Sequence, residues 1–203
     1  MNLKSLYAMI GKENLQIMKT HNMNRFDYSN VYKCIELGQL RDTIISKFGF
    51  AIPTEQLVQR LKKLSPIVDM GAGTGFITKL INEAGGQSAA YDLYPPNLVE
   101  NRYGFNRTFG LVRAGNEDSL KYHPCSTLLL SWPPYNGDFG YKCLTHPKWY
   151  GRHVVYIGEN DGGCTGDDNL HLELNSKWTL LETIRIPVWH GIHDKAFIYK
   201  RKT

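Results

Sequence analysis

A glycine-rich stretch between an apolar run and a helical pattern constrains the fold of this chain more than any other feature. Ile67-Val68-Asp69-Met70 leads into Gly71-Ala72-Gly73-Thr74-Gly75, and Phe76–Ile81 has a helical pattern. Glycines let the backbone turn sharply and let a ligand approach the main chain, while the start of a helix offers unpaired N–H groups. The stretch therefore predicts a strand, a turn and a helix that together bind an anion or a nucleotide.

Further short apolar runs follow at helix-sized intervals, namely Ser88–Asp92, Gly110–Ala114, Ser126–Ser131 and His153–Gly158. This spacing is typical of an α/β fold, with a mostly parallel sheet covered on both faces. The last two strand-like runs, Leu180–Pro187 and Lys195–Lys200, are separated by only seven residues. A parallel crossover needs a dozen residues or more, so these two runs are predicted to form an antiparallel hairpin at the C-terminal edge of the sheet.

Residues 1–65 are predicted to form a helical N-terminal extension, and 66–203 the α/β core of one domain that spans 1–203. Apolar residues from Leu57 to Leu64 recur on one helix face, with Thr54 as a candidate N-cap and Ser65-Pro66 as the end of the segment. Two further helices are expected at Tyr28–Leu37 and Gln39–Phe48. Before Arg25 a helix and a loose arm both remain open.

The composition is that of a globular protein, with 42% hydrophobic and 21% charged residues. The net charge of +5 suits an anionic partner, but solvated cations at helix ends and at the tail explain it more simply. Four scattered cysteines without a Cys-x-x-Cys pair predict no metal site and are consistent with reduced thiols. No signal-peptide core and no apolar run of about 18 residues is present, so a cytoplasmic protein without membrane association is expected. The sequence leaves the oligomeric state open.

The spacing within the glycine stretch argues against a dinucleotide site. The Gly-x-Gly-x-x-Gly fingerprint of dinucleotide-binding folds would place its last glycine or alanine at Phe76, whose ring is too large for close helix–strand packing. The sequence has acidic-x-Gly-x-Gly-x-Gly instead, which resembles motif I of the class I S-adenosylmethionine-dependent methyltransferases. The resemblance implies a Rossmann-like methyltransferase sheet with S-adenosylmethionine as cofactor.

The same resemblance implies cofactor-binding roles for specific residues. The loop backbone would pass under the methionine part of the cofactor, with Asp69 near its amino group, and Asp92 would bind the ribose hydroxyls. Asn116 and Glu117 follow the third strand, where family members contact adenine. In the alternative interpretation, Asp69 and Asp92 merely cap loops, and the glycines are ordinary turns. The complete predicted cofactor-binding set is Asp69, Gly71, Ala72, Gly73, Gly75, Asp92, Asn116, Glu117 and Ser131.

A second motif, Ser131-Trp132-Pro133-Pro134-Tyr135, follows the fourth strand. It resembles motif IV of amino-methyltransferases, in which Asn, Asp or Ser precedes Pro-Pro and an aromatic residue. In that family the polar side chain and a proline carbonyl accept hydrogen bonds from the target amine, and the aromatic ring stacks on the substrate. Here Trp132 stands at the polar position, and Ser131 lies one residue earlier, on the opposite face of an extended chain. The alternative is a structural role, with the prolines stiffening the end of the strand.

Three other segments are expected at or near the same pocket. Glu159 is the candidate general base, because it is the first polar residue after the fifth strand; the loop up to Asp168 would otherwise be a flexible acidic surface. Cys164 in that loop is a candidate nucleophile or methyl acceptor. His193-Asp194 is either an acid/base pair or part of a hairpin turn. Phe48–Thr54 either covers the cofactor or docks the N-terminal helices.

The functional prediction is a methyltransferase that uses S-adenosylmethionine. Trp132, Pro133, Tyr135 and Glu159 are the candidate catalytic residues, and the expected acceptor is a nitrogen of a nucleobase or of another planar amine. The partner would thus be a nucleic acid or a small planar amine. A small-molecule methyltransferase and a non-catalytic S-adenosylmethionine-binding module remain as alternatives. The runs Phe-Ala-Ile-Pro-Thr, Ser-Trp-Pro-Pro-Tyr and Tyr-Ile-Gly-Glu also resemble a group of poorly characterised methyltransferase-like proteins over most of residues 48–200.

Overall fold

The apolar runs of the sequence form the strands of a seven-stranded sheet in a computed structural model, which describes residues 1–20, 31–99, 101 and 103–202. The order across the sheet is β3-β2-β1-β4-β5-β7-β6. The strands are β1 (Ile67–Met70), β2 (Ser88–Asp92), β3 (Val112–Ala114), β4 (Thr127–Ser131), β5 (His153–Gly158), β6 (Trp178–Arg185) and β7 (Lys195–Arg201).

The central strands are mostly apolar because both faces of the sheet are covered. Successive side chains of a strand point to opposite faces, so Leu128 and Leu130 of β4 lie in one core cluster while Leu129 lies in another. Val154 and Val155 of β5 divide between the same two clusters. This arrangement gives continuous apolar runs rather than the alternation of a half-exposed sheet.

The strand pairing confirms the predicted fold class. β1 pairs in parallel with β2 and β4, β2 with β3, and β4 with β5. β7 is antiparallel to both β5 and β6, so the C-terminal hairpin forms one edge of the sheet. β3 is shorter than predicted, since it starts at Val112 rather than at Gly110, whose φ is +96°. β6 starts earlier, at Trp178, directly after a helix, and it ends at Arg185, before Pro187, which has no N–H to donate.

Four of the described helices precede the sheet in the chain, and the others lie between its strands. Together they cover both faces of the sheet. They are α1 (Leu3–Ile10), α2 (Lys12–Thr20), α3 (Val31–Phe48), α4 (Glu55–Lys63), α5 (Phe76–Glu83), α6 (Phe139–Leu144) and α7 (Asp168–Lys177), with a 3-10 helix at Glu117–Tyr122. α4 begins as predicted, because the Thr54 hydroxyl accepts a hydrogen bond of 3.2 Å from the backbone N–H of Leu57. None of the described helices is long and apolar enough to cross a bilayer.

The N-terminal extension differs from prediction in one respect. Where helices were expected at Tyr28–Leu37 and Gln39–Phe48, the described residues form the single helix α3. The prediction of a break near Gly38 was wrong, because a glycine inside a helix costs only about 1 kcal/mol. Tyr28–Asn30 and Arg25 lie outside the described residues. Before them, α1 and α2 bury Leu6, Ile10 and Met18 in a cluster with Phe48 and Phe76, so this segment is helical and packed.

Candidate functional site

A cavity of about 450 Å³ opens at the carboxyl ends of the parallel strands, where sheets of this type bind ligands. Its size falls within the range of small-molecule sites, roughly 300–1,000 Å³. The lining comes from the loops after β1, β2, β4 and β5 and from the segment between α3 and α4. The two motifs singled out in the sequence therefore meet in one cavity.

The glycine loop has a backbone that only glycine adopts without strain. Gly71, Gly73 and Gly75 have φ values of +75°, +53° and +70°. The N–H groups of Gly71 and Ala72 both donate to the Tyr91 carbonyl at 2.9 Å, which ties the loop to β2. Gly71, Ala72 and Gly73 line the cavity. Gly75 does not; a Cβ there would lie 2.7 Å from Val112, so this glycine serves packing against β3.

Asp69 is the penultimate residue of β1, just before the glycine loop, and is almost fully buried. Its Oδ2 accepts a hydrogen bond of 2.9 Å from the Thr78 hydroxyl, whereas its Oδ1 is buried without any hydrogen-bond partner. Burial and the nearby charge of Asp92 raise the pKa of Asp69 to about 7, although the bond from Thr78 lowers it. A buried carboxyl oxygen without a donor, on a residue that lines the cavity, is suited to a ligand that brings a cation or an N–H group.

Asp92, the last residue of β2, links the end of this strand to the glycine loop after β1. Its Oδ2 accepts a bond of 2.8 Å from the Gly73 N–H, and its Oδ1 accepts one of 2.8 Å from the Tyr94 N–H. An ionised carboxylate has about four lone-pair sites, so both oxygens can accept further donors from a ligand. The structure thus brings Asp69 and Asp92 together around the glycine loop.

Asn116 and Glu117, predicted to contact adenine, do not line this cavity. The Asn116 side chain accepts a bond of 3.2 Å from the Asp118 N–H and caps the 3-10 helix. The Glu117 carboxylate lies 4.0 Å from the Lys142 ammonium. Their role in binding stays a prediction.

Trp132 has a conformation that is unusual for its residue type. Its φ of +54° is the one positive value among the described non-glycine residues. The indole stacks on Phe50 with 4.6 Å between ring centroids and 8° between planes, and its N–H donates a bond of 2.6 Å to Asp194 Oδ2. Left-handed backbone at a bulky residue persists only where surrounding contacts hold it, and it is concentrated at functional sites.

Asp194 is a site residue whose role the sequence did not reveal. It is 3% exposed, and its second oxygen, Oδ1, is buried without a hydrogen-bond partner. Burial raises its pKa to about 7, the bond from Trp132 lowers it, and the charge of Glu159 raises it. In the sequence, Asp194 is notable only as the neighbour of His193. Its partner Trp132 lies 62 positions away, so no local pattern could indicate the pair.

The proline motif is fixed to the loop that follows β5. The Pro133 carbonyl accepts a bond of 2.8 Å from the Gly166 N–H, and Pro134 pairs with Thr165 in an isolated bridge. Ser131, Trp132, Pro133 and Tyr135 all line the cavity, and Tyr135 is 57% exposed. The predicted members of this motif are therefore assembled on one wall.

Glu159, the candidate general base, does not line the cavity. Its Oε2 accepts a bond of 2.8 Å from the Cys164 N–H, and its Oε1 accepts one of 2.7 Å from the His193 N–H. Burial raises the pKa of Glu159, but these hydrogen bonds outweigh burial, and the pKa lies below its usual value. In this arrangement Glu159 joins two loops and is poorly placed to take a proton from a ligand in the cavity.

Cys164 does line the cavity, next to the proline motif. Burial, the hydrogen bond to Glu159 and the nearby negative charges of Glu159 and Asp194 raise its pKa to about 11. The thiol therefore stays protonated near neutral pH, which does not suit a nucleophile. Among the described residues, no group of three or more His, Cys, Asp or Glu side chains could hold a metal ion.

The segment before α4 was predicted either to cover the cofactor or to dock the N-terminal helices. Phe50 lines the cavity, and its ring meets the rings of Tyr103 and Phe105 edge-on at 6.2 and 5.6 Å. Phe48 also lines the cavity, but it packs in the core against Phe76 at 4.9 Å and in one cluster with Leu6 of α1. Both aromatic residues therefore contribute to the cavity, and Phe48 in addition docks the N-terminal helices.

Among known proteins, only solved structures show a similarity to this chain. No family model matches the chain, and no curated protein matches it. Among solved structures, magnesium protoporphyrin IX methyltransferase from Synechocystis PCC 6803 with bound S-adenosylmethionine matches with a TM-score of 0.53 and 11% identity, over 91% of this chain and 97% of that chain. The Burkholderia thailandensis 1,6-didemethyltoxoflavin-N1-methyltransferase matches with a TM-score of 0.49 and 16% identity, over 94% and 90% of the two chains. The chain has the Rossmann-like fold of S-adenosylmethionine-dependent methyltransferases.

Proposed function

We propose that this chain is an S-adenosylmethionine-dependent methyltransferase that acts on a nitrogen of a nucleobase or of another planar amine. The observation that carries the proposal is Asp69, which lines a cavity of about 450 Å³ and whose Oδ1 is buried without a hydrogen-bond partner. A buried carboxyl oxygen without a donor costs free energy, so a ligand that donates to it is favoured. The α-amino group of S-adenosylmethionine is a donor of this kind.

The residues present fit this cofactor. Asp69 would accept from the amino group, the backbone of Gly71 and Gly73 leaves room for close approach, and Asp92 has lone pairs for two ribose hydroxyls. When bound, S-adenosylmethionine supplies an electrophilic methyl group on its sulfonium centre. The fold is compatible with this ligand, since the Synechocystis enzyme was crystallised with it.

The part of the cavity lined by the proline motif after β4 favours a flat acceptor. The Trp132 ring is held rigidly between Phe50 and Asp194, and the Tyr135 ring is largely exposed at the cavity. Rigid aromatic faces offer stacking to a planar ring. Amine recognition would use the Pro133 carbonyl, whose second lone pair remains for an acceptor N–H beside the bond from Gly166. Positioning the nitrogen is then the main contribution of the protein to the reaction.

A non-catalytic S-adenosylmethionine-binding module is the second candidate. Two observations favour it: Trp132 offers no acceptor where amino-methyltransferases have one, and its N–H is already bonded to Asp194. A small-molecule methyltransferase is a third candidate, distinguished only by its acceptor.

Calorimetry with S-adenosylmethionine tests the cofactor half of the proposal. We expect binding by the wild type and a loss of at least roughly tenfold in affinity for Asp92→Ala, because its hydrogen bonds to a ligand would be charge-assisted. Asp161→Ala removes an exposed carboxylate outside the cavity and is the matched control. Absence of binding, or equal binding by wild type and Asp92→Ala, would refute the proposal.

Transfer assays test the acceptor half. The protein is incubated with cofactor carrying a labelled methyl group and, separately, with DNA, RNA and a metabolite extract. Label in a nucleobase or in a planar amine supports the proposal, whereas label in an acceptor without such a ring supports the small-molecule alternative. Cofactor binding without transfer to any of them supports the binding module.

A further inference from the structure

A second cavity, of about 610 Å³, opens at the other end of the sheet, where β1, β4 and β5 begin. Pro66 precedes β1 there, Thr127 starts β4 and His153 starts β5. The cavity shares no lining residue with the candidate methyltransferase site. None of its nine lining residues is acidic, whereas Lys63, Arg152 and His153 are basic.

The cations around this cavity are not neutralised by neighbouring acids. His153 lies directly opposite Lys200 in the pairing of β5 with β7, which places their side chains on the same face about 5 Å apart. Within the described part of the chain, no carboxylate lies within 4.0 Å of Lys63, Arg152 or Lys200. Arg60 is the exception nearby, since it is paired with Glu182 at 2.7 Å.

The pKa of His153 reports the same positive environment. Burial lowers it, and the charges of Lys200, Arg60 and Arg152 lower it further. A concave surface with one sign of charge concentrates field lines and attracts counter-ions. An anion is therefore the ligand that this cavity favours.

An aromatic ring stands beside these cations. Tyr150 lines the cavity and is 62% exposed, while its backbone N–H is fixed by a bond of 2.8 Å to the Pro124 carbonyl. The backbone at Tyr150 is thus fixed, while the residue is largely exposed. Cations that hold phosphates beside aromatic rings that stack bases are the usual basis of binding to single-stranded nucleic acids.

We propose that this cavity binds a nucleotide, with its phosphate at Lys63 and Arg152 and its base on the ring of Tyr150. The nucleotide can be free or can be one unit of a single strand, because both present the same phosphate and base. The proposal does not depend on the methyltransferase function, since the two cavities lie at opposite ends of the sheet.

Fluorescence anisotropy with a fluorescein-labelled 12-residue oligouridylate at low salt tests this site. We expect the double variant Lys63→Ala/Arg152→Ala to bind roughly tenfold more weakly or worse, with a shallower dependence on salt, because phosphate contacts release counter-ions. Tyr150→Ala should weaken binding by roughly tenfold through lost stacking. Lys4→Ala/Lys12→Ala removes two exposed charges from α1 and α2 and should change affinity by less than about twofold.

Competitors and a second binding assay complete the test. Displacement by adenosine or uridine monophosphate identifies a free nucleotide as the ligand, and displacement only by unlabelled oligonucleotide identifies a strand; both support the site. No binding by the wild type, equal loss in the control variant, or displacement by inorganic polyphosphate together with no effect of Tyr150→Ala would overturn it. Binding of S-adenosylmethionine should be unchanged in all these variants, which separates failure here from failure of the proposed enzyme.

Discussion

At the scale of single residues, the pair formed by Trp132 and Asp194 is the most distinctive feature of the candidate site. A bulky residue with φ of +54° stores strain on the order of 1–3 kcal/mol. Stacking on Phe50 and the bond of 2.6 Å to Asp194 offset this strain. Trp132 thereby becomes a fixed wall, and its indole N–H is already bonded to Asp194.

Replacing Trp132 with Phe removes ring atoms and also the N–H that donates to Asp194. Because Asp194 would then be buried without a hydrogen-bond donor, we expect about 1–3 kcal/mol of destabilisation in addition to the effect of the lost ring atoms. Trp189→Phe is the matched control, since it removes the same atoms from a buried residue whose indole N–H has no hydrogen-bond partner. Urea unfolding of both variants at pH 8 measures the difference. Equal destabilisation of the two variants would show that the bond to Asp194 contributes nothing.

The raised pKa of Asp194 predicts how stability depends on pH. Its pKa is about 7 in the folded protein against 3.8 ordinarily, so the folded state binds the proton more tightly than the unfolded state does. Between about pH 4 and 7 the folded protein holds more protons, and stability falls as pH rises. Asp194→Asn, which can still accept from Trp132, should remove a decline on the order of 1–3 kcal/mol.

Unfolding free energies from pH 5 to 8 measure this effect. Part of the decline should remain in Asp194→Asn, because Asp69 also has a pKa of about 7. Asp161→Asn changes an exposed carboxylate and serves as control. A pH profile of Asp194→Asn that runs parallel to that of the wild type would contradict the assignment.

Site residues that are close together in the sequence were predictable, whereas contacts between residues far apart in the sequence were not. Asp69 and the glycine loop are contiguous, and Asp92 ends the next strand, so a local motif and strand order were enough to bring them to one place. Asp194 meets Trp132 only through the antiparallel placement of β7 beside β5. Hydrogen bonds between side chains on distant loops leave no periodic trace in a sequence.

At the scale of elements, Glu159 connects the loop after β5 to the connection between β6 and β7. It accepts from Cys164 on one side and from His193 on the other. Position alone made Glu159 a candidate base, because it is the first polar residue after a strand. Its actual partners lie in two loops that are far apart in the sequence, and no local pattern could pair them.

Glu159→Gln should therefore loosen these loops while leaving the cofactor site intact. A glutamine cannot accept from both N–H groups through its NH₂ end, so we expect a loss of about 1–2 kcal/mol and faster proteolysis in residues 160–166. Affinity for S-adenosylmethionine should stay within about twofold, since Glu159 does not line the cavity. Limited proteolysis and calorimetry measure the two effects; unchanged proteolysis with lost binding would favour a role at the ligand.

Elements were predictable where burial dictates composition. β1, β4 and β5 are covered on both faces, so their apolar runs were recognised almost to the residue. α3 was divided in two because Gly38 resembles a break, but a single glycine does not outweigh the packing of neighbouring turns on the core. β3 has only three residues and buries only Val112, so little apolar sequence marks its bounds.

At the scale of the whole molecule, the ionisation of Asp69 affects both the stability of the fold and the affinity for a ligand. Above pH 7 the protein without ligand holds a buried carboxylate with one unpartnered oxygen, which disfavours the fold. A ligand that brings an ammonium group to this oxygen favours the ionised form. Binding of S-adenosylmethionine should therefore strengthen as pH rises, while the stability of the protein without ligand declines.

Between pH 6 and 7.5 the ionised fraction of a group with a pKa of 7 rises roughly eightfold. Affinity for S-adenosylmethionine should rise roughly five- to sixfold, because part of its α-amino groups lose their proton by pH 7.5. An α-amino group, with a pKa of roughly 7.7–8.0, stays mostly protonated over this range. The thermal shift at a fixed cofactor concentration should accordingly be larger at pH 7.5. 5′-Methylthioadenosine lacks the amino-acid part of the cofactor, so its thermal shift should not depend on pH, and Asp69→Asn should abolish the dependence for S-adenosylmethionine. If methylthioadenosine showed the same trend, or if Asp69→Asn kept it, the amino group would not lie at Asp69.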